Sequence, residues 1–500
     1  MMALKSRQAE AFTEQLHQRP DLLREEAWLD GRWAEAEGGG RIQVTNPADG
    51  SLIGTVPDMG VAETARAVAA ADAAWAGWRK TLAKDRARIL RRWADLMTDR
   101  RHDLALLMTL EQGKPLAESL GEIDYAASFL EWFGEEAKRM YGETIPPHLP
   151  GSKMIVSREP IGVTAAITPW NFPSAMITRK AGAALAAGCP MIVRPASETP
   201  FSALALAVLA EEAGVPGGVF QVITGSARTI SQVLLASPVV RALSFTGSTE
   251  VGRKLFAGSA DTIKKLSLEL GGHAPCLVFG DADLDLAVEG ALAAKFATSG
   301  QDCLAINRLF VEDAIYDDFT QRYAAAVASL KVGPGTEEGV EIGPLMNEAA
   351  VQKCEAQIAD ALEKGATLVV GGRRHALGGT FFEPTLITNV TEEMDIFREE
   401  TFGPVAAVLK FSDEEEGIAR ANDSIYGLAA YLFSRDVGRV CRVADALQYG
   451  MVGANTPKFT GAPIPFGGMK QSGLGREGSR HGLDDYSEIK YLCVGGLGAR

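Results

Sequence analysis

The chain has 500 residues, 46% of them hydrophobic and 23% charged, enough to bury a large core and to divide into two or more domains. With 50 lysines and arginines against 64 acidic residues its formal charge is −14, which argues against nucleic acid or an anionic membrane as partner and requires any anion site to be built locally. Six scattered cysteines form no Cys-x-x-Cys pair and the six histidines never fall at a ligand spacing, so neither a disulfide framework nor a metal site, catalytic zinc included, is expected.

The first residues, MMALKSRQAEAFTEQLHQRPDLL, are charged throughout and lack an apolar core of signal-peptide length. No later run is long enough to cross a bilayer, so a soluble cytoplasmic protein is expected. Residues 26–56 alternate apolar and polar side chains between Gly, Asn-Pro and Asp-Gly signals, which predicts short strands and hairpins. From 61 to about 140 apolar residues recur three and four apart, the pattern of amphipathic surface helices, and this region reads as scaffold. Pro146-Pro147 and Pro150-Gly151 end it. MIVSREPIGV (154–163) then looks like an extended arm leaving the domain.

Between 162 and 269 the strands GVTAAIT, PMIVRP, VFQVIT, VRALSFT and KKLSLEL alternate with helical stretches beginning near 173, 199, 227 and 249. Strands separated by single helices pair in parallel through right-handed crossovers, which gives a doubly wound α/β sheet of the dinucleotide-binding kind. At one strand end FTGSTEVG (245–252) sets Gly247, Ser248 and Gly252 at a helix start, where free amides suit a phosphate. From 271 to about 465 the alternation recurs with CLVF, RLFV, PTLIT, AAVLKF and YLFS, a second α/β domain. The alternating tail SEIKYLCV (487–494) reads as a terminal strand whose edge invites pairing with another protomer.

Three stretches carry chemistry. FATSGQDCLAINRL (296–309) sets Cys303 behind a Gly300-Gln301 turn; a lone cysteine is ordinarily a small buried hydrophobe, but its company here is unusual. LSLELGGHAP (266–275) ends an apolar run on Glu269, and ITPWNFP (167–173) places the amide of Asn171 between aromatics. Nucleophile, base and amide donor are the parts of an acyl-transfer site.

With REETFGPV (398–405) and PFGGMKQSGLGREG (465–478) added, these motifs make the chain resemble the aldehyde dehydrogenase superfamily from about residue 30 onward. MITRKAGAALAAGCP (176–190) and EIKYLCVGGL (488–497) look most like its succinate-semialdehyde branch. The resemblance implies a cofactor domain from 1–140 and 161–270, a catalytic domain from 271–465, and an oligomerisation arm from 141–160 and 484–500. Homodimers or homotetramers are the assemblies it implies.

It also implies the chemistry. Cys303 adds to an aldehyde; the oxyanion, held by Asn171 and the Cys303 N–H, expels hydride onto NAD or NADP; Glu269 then activates water against the thioester, with Lys180 in the surrounding proton network. The family's cofactor positions fall on Thr168, Trp170, Asn171, Gly247, Ser248 and Leu270 along the cleft, Glu400 at the nicotinamide ribose and Phe402 beside the ring. Arg194 replaces the usual adenine-ribose lysine, and Ser197 stands where NAD-restricted members often carry glutamate, so NADP use is open. For the substrate, Arg179 matches the first of two tail-binding arginines. Ala297 occupies the second arginine's place, Thr460 is the hydroxyl position, and Lys458 is the candidate replacement cation.

A short carboxylate-tailed semialdehyde such as succinate semialdehyde is therefore expected. Glutarate semialdehyde, a sulfonate-tailed aldehyde and broad specificity stand as alternatives. Ala305, two residues past the nucleophile, precludes the disulfide switch found at that position in some members. Glu269 favours water over coenzyme A as acyl acceptor, and His273 reads as packing rather than as the partner base of a thiol hydrolase.

Overall fold

The computed structural model describes residues 21–497; the charged leader over 1–20 and the last residues of the arm, 498–500, lie outside the described residues. Five parallel strands stand at the centre of an eight-stranded sheet, in the order Lys265–Glu269, Val240–Thr246, Val163–Ile167, Met191–Arg194 and Phe220–Val222. They are the five strands read from the sequence, joined by the helices Ala175–Ala187, Pro200–Glu212, Ala227–Ala236 and Thr249–Gly258. Every residue of Val163–Ile167 is buried, as expected of a parallel strand covered on both faces. The chain first winds outward from this strand and then returns to its other side, which puts a topological switch between Val163–Ile167 and Val240–Thr246.

A second sheet orders Thr367–Val370, Thr385–Thr388, Val405–Phe411, Ile306–Glu312, Ala274–Val278, Ala429–Phe433 and Met451–Ala454. It contains the five strands expected of the second half, plus Thr367–Val370 and Met451–Ala454, which at four residues each are too short to show a period. After Met451–Ala454 the chain crosses back, and Gly473–Leu474 pairs antiparallel with Lys265–Glu269 of the first sheet. A three-stranded sheet sets Ser487–Val494 against Lys153–Pro160 over eight paired positions, with Glu143–Ile145 on the far side. Ile489, Tyr491 and Leu492 are exposed on it. Among the described residues no helix is long and apolar enough to cross a membrane.

The surface-helix reading of residues 61–140 needs correction. It describes Val61–Trp78, which has one buried stripe, but in Arg101–Gln112 every residue from Leu104 to Gln112 is buried. The cause is packing on several sides: Leu116–Glu136 lies against Ala83–Asp99, Arg101–Gln112 and Ala175–Ala187, and Arg101–Gln112 also meets Pro200–Glu212. Buried Glu111 takes part in that contact, since its carboxylate accepts the N–H groups of Phe201 (2.9 Å) and Ser202 (2.7 Å) at the start of Pro200–Glu212. A helix N-terminus inside a core needs such a partner for its free amides.

Candidate active site

Strand register brings the cofactor candidates together. Thr246 lies opposite Glu269, Phe245 opposite Ile167, and Ile167 opposite Arg194, so Thr168, Gly247 and Leu270 follow side by side at the carboxyl edge of the sheet. Ligands of doubly wound sheets bind at that edge. The Gly247 N–H donates to the Glu269 carbonyl (3.0 Å), and Ser248 caps Thr249–Gly258 by accepting the Val251 N–H (3.4 Å). A Cβ on Gly252 would lie 2.4 Å from the Leu270 side chain, so only glycine lets this helix approach so closely. The Thr168 hydroxyl is buried without a partner. Amides at a helix start, a close backbone cradle and an unpaired hydroxyl fit a dinucleotide pyrophosphate.

At the neighbouring strand end Arg194 donates through Nη2 to Ser197 Oγ (2.7 Å) and to the Gly225 carbonyl (2.9 Å). From the connection before Val405–Phe411, Glu400 accepts the Gly272 N–H (3.0 Å), and burial raises its carboxyl to about 7. Phe402 meets Trp170 edge to face at 5.6 Å.

The nucleophile stretch is conformationally tight. Thr298, Ser299 and Gly300 are all left-handed (φ 51°, 59° and 72°), a costly run for two residues with side chains. A Cβ on Gly300 would lie 2.2 Å from the Gly403 carbonyl, and one on Gly272 would lie 2.0 Å from the Cys303 carbonyl. Hydrogen bonds pin the run: Ser299 Oγ to the Gly343 carbonyl (3.0 Å), the Gln301 N–H to the Thr298 carbonyl (3.1 Å), the Met346 N–H to Gln301 Oε1 (2.9 Å), and Asn171 Nδ2 to the Gln301 carbonyl (3.0 Å). Half-buried Cys303 follows. Burial pushes its thiol well up, with Asp302 and Glu400 adding to the shift and Arg179 opposing it.

An ionic pocket lies behind it. Glu269 is 2% exposed and neither of its oxygens has a hydrogen-bond partner. Burial, then the charge of Glu477, pushes its carboxyl well above the usual range, against Arg179 and Lys180. Lys180 donates to Thr246 Oγ1 (2.7 Å) and to Glu477, while Arg179 Nε pairs with Glu477 Oε2 at 2.5 Å. Burial would raise the Glu477 carboxyl, but Lys180 and Arg179 outweigh it and hold it low, so Glu477 is the anion of this cluster. Sequence reasoning did not single out Glu477, although it stands inside the PFGGMKQSGLGREG motif.

A cavity of about 660 Å³ opens from Cys303 past Phe172 and Phe466 to Arg179, with Ala297, Lys458 and Thr460 on its wall. The Arg179 guanidinium is 1% exposed, 4.0 Å from the Phe466 ring centroid, and its Nη1 lacks a hydrogen-bond partner; Lys458 and Thr460 are exposed. Tyr125 and Glu122 also line it, both from the region read as scaffold, which is the second correction to that reading. Buried Lys114 donates to Glu122 Oε2 (2.7 Å) and to the Asn171 carbonyl (2.6 Å). Glu122 Oε1 accepts the N–H groups of Ser174 (2.9 Å) and Ala175 (3.2 Å), fixing the start of the helix that carries Arg179 and Lys180. His273 is buried with Nε2 2.7 Å from the Phe397 carbonyl and is held neutral by burial and by Arg308, a packing role.

Comparison with known proteins gives one answer. The aldehyde dehydrogenase family profile matches residues 33–492. A glutarate-semialdehyde dehydrogenase of Pseudomonas aeruginosa is 60% identical over 95% of this chain and 99% of its own length. An NADP-dependent succinate-semialdehyde dehydrogenase of Escherichia coli K12 is 58% identical over 95% and 98%. A crystal structure of an NADP-dependent enzyme from Escherichia coli superposes with a TM-score of 0.94 at 58% identity, covering 95% of this chain and 99% of that one.

Proposed function

Because the chain belongs to the aldehyde dehydrogenase family, we propose that it oxidises a short acid-tailed semialdehyde to the carboxylic acid and releases the acid by hydrolysis. The observation that carries this reading is the cavity joining Cys303 to the buried cation of Arg179. Succinate semialdehyde is the first candidate, and glutarate semialdehyde or a sulfonate-tailed aldehyde fits the same one buried cation and one exposed lysine.

The Cys303 thiol is held protonated by burial and by Asp302 and Glu400, so it needs a base to attack. Glu269 is that base: a carboxylate in a dry pocket with free oxygens takes a proton readily once ionised. The sulfur adds to the aldehyde carbon. The free N–H of the Asn171 amide and the Cys303 backbone N–H receive the oxyanion, worth roughly 3 to 4 kcal/mol per donor. Thr168, Trp170, Asn171, Gly247, Ser248 and Leu270 would hold NAD or NADP along the cleft, with Glu400 for its ribose and Phe402 for its ring, and the bound coenzyme would supply the hydride acceptor. After releasing the thiol proton to solvent, Glu269 takes a proton from water; the hydroxide attacks the thioester, and the C–S bond breaks to free Cys303 as the acid leaves. Lys180 and Glu477 hold the field around Glu269, and Arg179 holds the substrate's distal anion, with Thr460 and Lys458 nearer the mouth. Arg194 and Ser197, a fixed cation joined to a hydroxyl, admit a 2′-phosphate, although the Glu198 carboxylate also acts on Arg194.

The two sheets support a division into 1–140 with 161–270 for coenzyme, 271–465 for the nucleophile, and 141–160 with 484–500 as an arm. Exposed Ile489, Tyr491 and Leu492 on the arm support assembly into a homodimer or homotetramer, and the protein is assigned to the cytoplasm. The test is reduced-coenzyme formation across aldehydes with carboxylate, sulfonate, ammonium and neutral tails, using NAD and NADP in turn. Anionic tails should give the highest kcat/KM. Equal rates with propanal, or a preference for the ammonium tail, would overturn the substrate class.

A further inference from the structure

Helix Leu116–Glu136 turns three polar side chains toward the cavity at positions i, i+4 and i+7: Glu118, Glu122 and Tyr125. Two have visible tasks. Glu122 holds Lys114 and the start of Ala175–Ala187, and Tyr125 faces Arg179 and Thr460. Glu118 reaches a different place: its Oε2 accepts the Thr298 N–H at 2.9 Å and the Thr298 hydroxyl at 3.3 Å, across 180 residues of sequence. Thr298 is the first of the left-handed run, five residues before Cys303.

We propose that Glu118 is a positioning residue which holds Thr298 in its left-handed conformation and thereby aims Cys303. A threonine at φ 51° is strained, because its Cβ crowds the following backbone, and a fixed acceptor on its N–H offsets that cost. Ser299 and Gln301 tie the later part of the run to Gly343 and Met346 in the loop before Glu348–Glu363, but among the described residues only Glu118 reaches Thr298 from the coenzyme-binding half. The carboxyl faces Lys114 on one side and Asp302 on the other, with Glu122 one turn along its helix. Letting Thr298 flip would re-aim every bond down to Cys303, and misplacement by about 1 Å at a reacting atom costs on the order of a hundredfold in rate.

The inference rests on Cys303 as nucleophile, so the experiment reads Cys303 directly, by iodoacetamide alkylation alongside kcat and KM. Glu118→Ala should lower kcat and alkylation together by on the order of a hundredfold while leaving coenzyme KM within about twofold. Glu118→Gln should stay within about fivefold of the parent, since an amide oxygen can accept the same two bonds. Adding Thr298→Gly to Glu118→Ala should recover at least about tenfold, because glycine adopts φ 51° without crowding. If Glu118→Ala does not fold, Glu118→Asp, one methylene too short, should show the same loss and the same recovery. Parental kcat in both shortened variants, a Gln variant as poor as Ala, or no recovery by Thr298→Gly would each overturn the proposal. Failure of the nucleophile reading would appear separately, as unchanged turnover in Cys303→Ala.

Discussion

The nucleophile loop and the ionic pocket behind it solve opposite problems. In the loop, Thr298, Ser299 and Gly300 hold an unfavourable backbone by hydrogen bonds and close glycine contacts, and Glu118 touches it as an acceptor. In the pocket Arg179 and Lys180 stand on a regular helix and Glu269 ends a strand, with Glu477 brought in by the returning segment, and the four hold buried ionisable groups that offset one another. Geometry is stored in one region and proton affinity in the other. A substitution in the loop should therefore misplace the sulfur, whereas one in the pocket should change which protons move.

The sharpest probe of that division is Glu269→Gln. Turnover should fall by ~10²–10⁴ with the fold intact, as expected on losing a general base. Only the ionised carboxylate accepts a proton, and its pKa is raised, so parental turnover should climb with pH through that raised pKa and the variant should lose this limb. A variant with unchanged turnover at every pH would break the comparison.

Arg179→Ala comes next. Removing it leaves Glu477 paired with Lys180 but short of one buried partner, which should cost ~1–3 kcal/mol of stability in a urea titration. A lost charge-assisted contact to the substrate tail raises KM for succinate semialdehyde ~10–100-fold. An equal rise for propanal would mean that Arg179 serves the pocket and not the tail.

Lys458→Ala should be the mildest. It is exposed at the mouth, where a charge contributes at most ~1 kcal/mol, so KM for an acid-tailed aldehyde should rise no more than ~5-fold and the effect should shrink with added salt. A larger, salt-insensitive effect would move Lys458 into the buried set.

The strands, the two sheets and the Cys303, Glu269 and Asn171 stretches were legible because each is written locally, as a period or as a residue type beside a glycine turn. Residues 104–112 were not: Thr109, Glu111 and Gln112 read as the polar face of a surface helix, and only neighbours from other parts of the chain bury them. Glu122 was hidden for the same reason, since its partners Lys114, Ser174 and Ala175 belong to separate segments. Glu477 sat inside a recognised motif, yet nothing nearby in sequence says that it answers Arg179 and Lys180.

That last contact spans 297 residues. Two cations are interred early in the chain, and their counter-ion arrives on the segment that returns from the second sheet to edge the first. A partly assembled chain would have to bury Arg179 and Lys180 against Glu269 without the stronger counter-ion Glu477, so the slowest step in maturing the first sheet should be the long-range closure that delivers Glu477. Refolding of the coenzyme half and the appearance of dehydrogenase activity should therefore coincide in time.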